Sequence, residues 1–228
     1  MILIDAVFVA SHGGINVLKT LLNSIEVNEK KLFILFIDRR LQKLELDTEN
    51  FKRVLYIKKG IFSRQLNFLK IKNEINVVLS LGNVPLVVPK KIYQITYNMQ
   101  YFVFDFSMIN SLRLKFSWLL KGLIIRTLFK FTKSDVAVQT NTMALIFKKI
   151  NSGGKIYNFP IFKPIIKGKK IDNTPTNFIY ITSAQPYKKV DFLISAFNQH
   201  NEKHKESKLF LTIEDENVFD NLNKLSNC

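Results

Sequence analysis

Phe178-Ile-Tyr-Ile-Thr-Ser-Ala-Gln-Pro-Tyr-Lys-Lys-Val-Asp-Phe-Leu-Ile-Ser-Ala-Phe197 passes from a strand pattern to a helix pattern through one polar turn. Its first five residues are β-branched or aromatic, Pro186 marks the turn, and Val190, Leu193, Ile194 and Phe197 then recur at helical spacing. A strand, a short loop and a helix start form an anion site: the first amides of the helix are free and its dipole points its positive end at them. Lys188 adds a full positive charge at that point. The same pattern also serves an ordinary strand-to-helix connection, so the rest of the chain has to discriminate.

Upstream the pattern repeats. Ile2 to Ala10 reads as a buried strand, Ser11-His12-Gly13-Gly14 follows, and Ile15, Val17, Leu18, Leu21, Leu22 and Ile25 give a helical stripe. Glycine at such a turn lets backbone approach a ligand, and the unit reads as the opening of a Rossmann-like domain. No full G-x-G-x-x-G is present, which speaks against a bound dinucleotide. Strands are expected at Lys31 to Ile37, Phe51 to Ile57, Ile75 to Leu81, Lys91 to Tyr97, Asp135 to Gln139 and Lys155 to Asn158. Helices are expected at Ile61 to Ile71, with Ser63 as a cap, at Asn110 to Lys133 and at Met143 to Ile150. Strands alternating with helices predict a doubly wound α/β sheet. Residues 163–176, polar and basic with Pro, Gly and Asn, read as a linker. A strand Leu209 to Ile213 and a last helix close the chain.

Composition narrows the classes. With 47% hydrophobic and 23% charged residues, the 228-residue chain is globular. Its 34 Lys+Arg against 18 Asp+Glu give a net charge of +16, a field that favours anionic partners. The single cysteine, Cys228, allows no internal disulfide, which fits a reducing compartment. The start of the chain, Met-Ile-Leu-Ile-Asp5, lacks the basic region of a signal peptide, and no apolar run is long enough to span a bilayer. Within Asn110 to Lys133, Lys115, Arg126, Lys130 and Lys133 fall on one side of a helix that also carries Trp118. Such a helix can lie on an anionic membrane, or simply turn its cations to water. His200 and His204 have ligand spacing but no third partner, so no metal is expected.

Several of these elements, in order, resemble the retaining GT-B glycosyltransferases of family 4. The matching residues are Gly13-Gly14, Asn98, the Asp-x-x-Val-x-Thr stretch from Asp135 to Thr140, the Pro-bearing linker, and Pro186-Tyr-Lys188-Lys189 with Leu193-Ile-Ser-Ala-Phe197. The resemblance implies a complete N-terminal Rossmann-like domain (residues 1–162), a linker (163–176) and the first β-α-β-α part of a donor-binding domain (177–228). It implies that Lys188, with Gly13 and Gly14, holds the donor diphosphate, and that Asn98, Tyr97 and Thr140 line the cleft on the acceptor side. Tyr97 stands where the family commonly has histidine, and Ser183-Ala184-Gln185 stands where it often has arginine. The implied reaction moves a sugar from a nucleotide-sugar to a glycan or lipid-linked acceptor, without metal, in bacterial surface polysaccharide synthesis.

The implied location is cytoplasmic, with peripheral contact to the membrane through Lys115, Trp118, Arg126 and Lys130. The family's Glu-x7-Glu element has no counterpart before Cys228, so weak transfer by this chain alone is expected unless a second chain completes the donor domain. The alternative is a basic binding protein without catalysis, for nucleic acid or another anionic partner. Nucleic acid is disfavoured because the sequence carries no signature for it.

Overall fold

In a computed structural model, the protein is described over residues 1–99, 112–150, 153–160, 177–180 and 190–212. It divides into two compact units, Met1–Pro164 and Ile165–Cys228. The expected linker, residues 163–176, lies outside the described residues.

The first unit is a seven-stranded sheet with helices on both faces, a Rossmann-like domain. In chain order its elements are β1 (Ile2–Ala6), α1 (His12–Ser24), β2 (Phe33–Asp38), β3 (Arg53–Ile57), α2 (Ile61–Ile71), β4 (Val77–Leu81), β5 (Tyr93–Asn98), α3 (Leu112–Thr132), β6 (Asp135–Val138), α4 (Asn141–Ile150) and β7 (Ile156–Asn158). The strands lie in the order β3-β2-β1-β4-β5-β6-β7, and every pairing is parallel. The direction of travel through the sheet reverses between β1 and β4. In open α/β sheets, ligands bind outside the carboxyl ends of the strands at such a reversal.

Register assigns the faces. Leu3 pairs with Ile34 and Val78, and Thr96 with Val136, so these side chains share one face. There they pack against Phe68 and Ile71 of α2, Ile125 and Phe129 of α3, and Phe147 of α4. Ile4, Ala6, Leu35, Ile37, Leu81, Tyr97 and Ala137 turn the other way, onto Leu18 and Leu22 of α1. Strands buried on both faces read as unbroken apolar runs, which is why Phe33–Asp38 and Val77–Leu81 are legible without periodicity.

Two local expectations change. The first strand stops at Ala6 rather than Ala10, because the Val9 amide turns back to the Ala6 carbonyl at 3.1 Å. Ser63 does not cap α2; Gly60 stands at the cap, and the Ser63 carbonyl accepts from Asn67 Nδ2 at 2.8 Å. Asp135, the acid of the Asp-x-x-Val-x-Thr stretch, sits at the amino end of β6, opposite the candidate edge. Its carboxylate accepts from the hydroxyls of Tyr93 (2.6 Å) and Tyr157 (3.3 Å) and from the Lys155 amide (2.8 Å), tying β5, β6 and β7 together.

One face of the sheet encloses a charge pair. Arg64 Nε of α2 lies 3.3 Å from Asp5 Oδ2 of β1, and both side chains are 1% exposed. Ser80 of β4 donates to the same carboxylate at 3.4 Å, and Gln94 of β5 donates to Ser80 Oγ at 3.2 Å. Burial pushes the Asp5 carboxyl up, against the Arg64 charge and the hydrogen bonds from Val7 and Ser80. It pulls the Arg64 guanidinium down, against Asp5.

The second unit is a β-α-β segment: β8 (Asn177–Tyr180), α5 (Val190–Lys203) and β9 (Lys208–Leu211), with β8 and β9 parallel. Phe178 packs edge-on against Phe197 at 5.9 Å and His200 at 5.3 Å, and Val190 and Ile194 are buried. Residues 181–189, with Pro186 and Lys188, and the expected last helix lie outside the described residues.

Removing one member of a buried ion pair leaves the other charge stranded, at a cost of about 3–5 kcal/mol, whereas replacing both with apolar groups is far milder. Urea unfolding of Asp5→Ala is therefore expected to show a larger stability loss than that of the double variant Asp5→Ala/Arg64→Met. A double variant at least as unstable as the single one contradicts this account.

Candidate functional site

The candidate site is the carboxyl edge of the sheet around the β1–β4 reversal. Ser11 caps α1: its Oγ accepts from the Gly14 amide at 3.4 Å, and its carbonyl accepts from Ile15 at 2.8 Å. The capped helix start presents the positive end of its dipole here. The two glycines differ. A Cβ on Gly14 would come within 3.1 Å of Val9 Cγ1 and 3.3 Å of Ser11 Oγ, so a side chain there would press both neighbours outward by a few tenths of an ångström. Among the described residues, a Cβ on Gly13 meets nothing within 4 Å, so Gly13 borders open space there beside the helix start.

Across the reversal, Gly82 ends β4 at φ +89°, and a Cβ there would approach Phe8 Cβ at 2.9 Å. The backbone of β4 therefore touches the turn that follows β1, and only glycine permits it. Asn83 follows, also left-handed at φ 73°, and its Oδ1 accepts from the Met99 amide at 2.6 Å. The Met99 side chain in turn reaches the Gly14 position, where an added Cβ would stand 4.0 Å from its Cε. Gly14, Met99 and Asn83 thus join the ends of β1, β4 and β5 into one rim. Met99 and Asn83 carried no sequence signal beyond their place after a strand.

Arg64 supports this rim from within the sheet-helix layer. Its Nη1 donates to the Val84 carbonyl at 3.2 Å, and its guanidinium carbon lies 5.0 Å from the centre of the Phe8 ring. Both loops at the reversal are therefore held by a residue that is itself held by Asp5.

The other expected residues fall as follows. Tyr97 is 2% exposed in the core on the α1 side, with its hydroxyl donating to the Phe159 carbonyl at 3.2 Å. Asn98 is wholly buried; its Nδ2 donates to the Thr96 carbonyl at 3.1 Å, and its Oδ1 has no hydrogen-bond partner among the described residues. Both side chains are thus withdrawn from solvent. Thr140 is exposed at the carboxyl end of β6, where its Oγ1 accepts from the Met143 amide at 3.3 Å and starts α4. Lys188 lies outside the described residues.

Asp38, at the carboxyl end of β2, has the place of a ribose-binding acid in dinucleotide folds. Its Oδ1 accepts from the Arg40 amide (2.9 Å) and Nε (3.0 Å), and its Oδ2 from Arg40 Nη2 (2.6 Å), so this carboxylate is engaged internally. Burial opposes its charge, but the Arg40 hydrogen bonds outweigh burial and hold its carboxyl below the usual range. Among the described residues, no three His, Cys, Asp or Glu side chains cluster to hold a metal. His200 and His204 stack at 4.5 Å on and just after α5.

Fold and edge together define a Rossmann-like α/β domain with a capped helix start at the strand-order reversal. No protein-family model matches the chain, and no curated protein matches it.

The glycines give one test. Gly13→Ala is expected to leave the melting temperature unchanged, while Gly14→Ala lowers it, because only the second collides; equal effects in thermal melts would contradict the packing. Asp38 gives another. Its depressed carboxyl contributes stability that is complete above its unfolded value of about 3.9 and is lost as pH falls through the lower folded value. The stability gap between the native chain and Asp38→Asn should hold steady from pH 7 to 5 and narrow below about pH 4. A gap that widens in acid would reverse the sign.

Proposed function

We propose that the chain is a nucleotide-sugar-dependent glycosyltransferase of the GT-B type, similar to family 4. The observation that carries the reading is the succession of two α/β units. The first is Rossmann-like, with an open helix start at Gly13. The second contains a strand, β8, and a helix, α5, and the sequence between them includes Pro186-Tyr-Lys188. In this reading the lysine neutralises the donor diphosphate, as a cation at a helix start does. Met99 and Asn83 shape the rim beside the start of α1, and Thr140 borders the acceptor side as the cap of α4. The described rim offers the amides at the start of α1 and the Thr140 hydroxyl, groups of the kind that meet phosphates and sugar hydroxyls.

Thermal melts with UDP, GDP, ADP and nucleotide-sugars test the proposal. The best ligand should raise the melting temperature and keep doing so in moderate salt, where binding to polyanions falls steeply. A charged hydrogen bond contributes about 1.5–3 kcal/mol, so Lys188→Ala should weaken that ligand about tenfold or more. Gly13→Ala, which leaves packing intact, should weaken ligands at the α1 start. No stabilisation by any nucleotide, or unchanged affinity in Lys188→Ala, would sink the reading.

A further inference from the structure

α2, α3 and α4 pack on the same face of the sheet, so their outer sides look out together. Those of α2 and α3 are apolar. On α2, Phe62 is 85% exposed, with Leu66 beside it; on α3, Phe116 is 71% and Phe131 74% exposed, with Leu120 and Leu123 between them. At ~100° per residue these α3 side chains lie within about a quarter-turn, opposite the core-facing Ile125 and Phe129. Phe62 and Leu66 lie likewise opposite Phe68 and Ile71. α3 is therefore apolar on both sides, and Trp118 belongs to the inner one: it packs against the Ile125–Phe129 core, with Lys121 Nζ 4.9 Å from the centre of its ring.

Charge follows the same division. Neither α2, α3 nor α4 contains a single Asp or Glu, while Lys70, Lys130, Lys148 and Lys149 are exposed on them. The exposed acids Glu26, Glu29, Glu45 and Glu49 flank β2 in segments whose apolar residues pack on the α1 side. This face is thus apolar on α2 and α3 with a lysine fringe, and Glu74, the exposed acid in the turn after α2, is paired with Arg53 at 3.5 Å.

We propose that the α2–α3–α4 face docks on an anionic lipid bilayer, with Phe62, Leu66, Phe116, Leu120, Leu123 and Phe131 entering the acyl boundary and the lysines meeting headgroup phosphates. Charge complementarity selects this occupant. A second copy of the same face would bring lysines against lysines with no acid on these helices to neutralise them. Nucleic acid would pair with the cations but leave the leucines and phenylalanines without an apolar environment. A bilayer with anionic headgroups satisfies both features at once. The expected cationic contact thereby changes in kind: the apolar outer side enters, and the lysines steer. The proposal stands independently of glycosyl transfer.

Co-sedimentation of the full chain with phosphatidylcholine vesicles, with and without about one-third phosphatidylglycerol, tests it at low and moderate salt. Binding is expected at least tenfold stronger to the anionic vesicles. Phe116→Gln/Leu120→Gln/Leu123→Gln should lose at least tenfold, Phe62→Gln/Leu66→Gln should weaken binding, and Glu45→Gln/Glu49→Gln should not. Emission from the single tryptophan, Trp118, together with melting temperature, reports whether each variant keeps its fold; if the triple variant unfolds, the α2 pair carries the comparison. No binding of the folded chain to anionic vesicles overturns the proposal, as does equal binding by folded apolar variants. A dimer in solution that the same variants dissolve assigns the face to a second copy and overturns it too.

Discussion

The guanidinium of Arg64 and the carboxylate of Asp5 face each other with almost no solvent contact, and much of the first domain is arranged around them. The pair spans α2 and β1, and hydrogen bonds extend it through Ser80 to Gln94, so three adjacent strands and one helix share one polar chain. Burial weakens both charges, and the low-dielectric interior makes either one costly alone. The arrangement therefore tolerates few alternatives: a register slip in β1 would turn Asp5 to the α1 side and strand Arg64. From this anchored position Arg64 also reaches the Val84 carbonyl and the Phe8 ring, and so determines where the two loops at the reversal meet.

That rim is made by close approach more than by reactive side chains. Gly82 lets β4 touch the β1 turn, Asn83 accepts the first amide past β5, and Gly14 admits Val9 and Met99. The available groups beside these contacts are the start of α1 and the open surface at Gly13. Asp38, at the carboxyl end of β2, and Asp135, at the amino end of β6, are spent on Arg40 and on the tyrosines of β5 and β7. The described rim is thus suited to holding a polar or anionic ligand by amides and helix dipole.

The helix layer on the Arg64 side follows a different logic. Its inner surfaces obey the core, but the outer surfaces of α2 and α3 do not show the polar pattern of a solvated helix. α3 in particular has leucine or phenylalanine around most of its circumference. The glycine at 122 and the side chains of Ile125 and Phe129 go to the sheet, and the larger apolar set is left outside.

How much of this was legible depends on how local the signal was. Buried parallel strands announce themselves as apolar runs, α2 by its spacing from Ile61 to Ile71, and the β1–α1 turn by its glycine pair, so the doubly wound α/β domain could be read from the chain alone. The caps were less secure: Thr140 could be named from its place after a strand, whereas Ser63 could not be told from Gly60, because both stand within one turn of the helix start. The inward turn of Tyr97 and Asn98 also had no local signature, since a strand end reads alike whether its last side chains meet solvent or neighbours. The sequence by itself determined the order and type of the elements, because hydrophobic spacing and turn chemistry act over a few residues. Only the tertiary structure decided that Asp5 meets Arg64, that Met99 joins Asn83 to Gly14, and which side of α3 faces out. Those outcomes depend on contacts between segments far apart in the chain, and a helix apolar on both sides carries no periodic clue to its orientation.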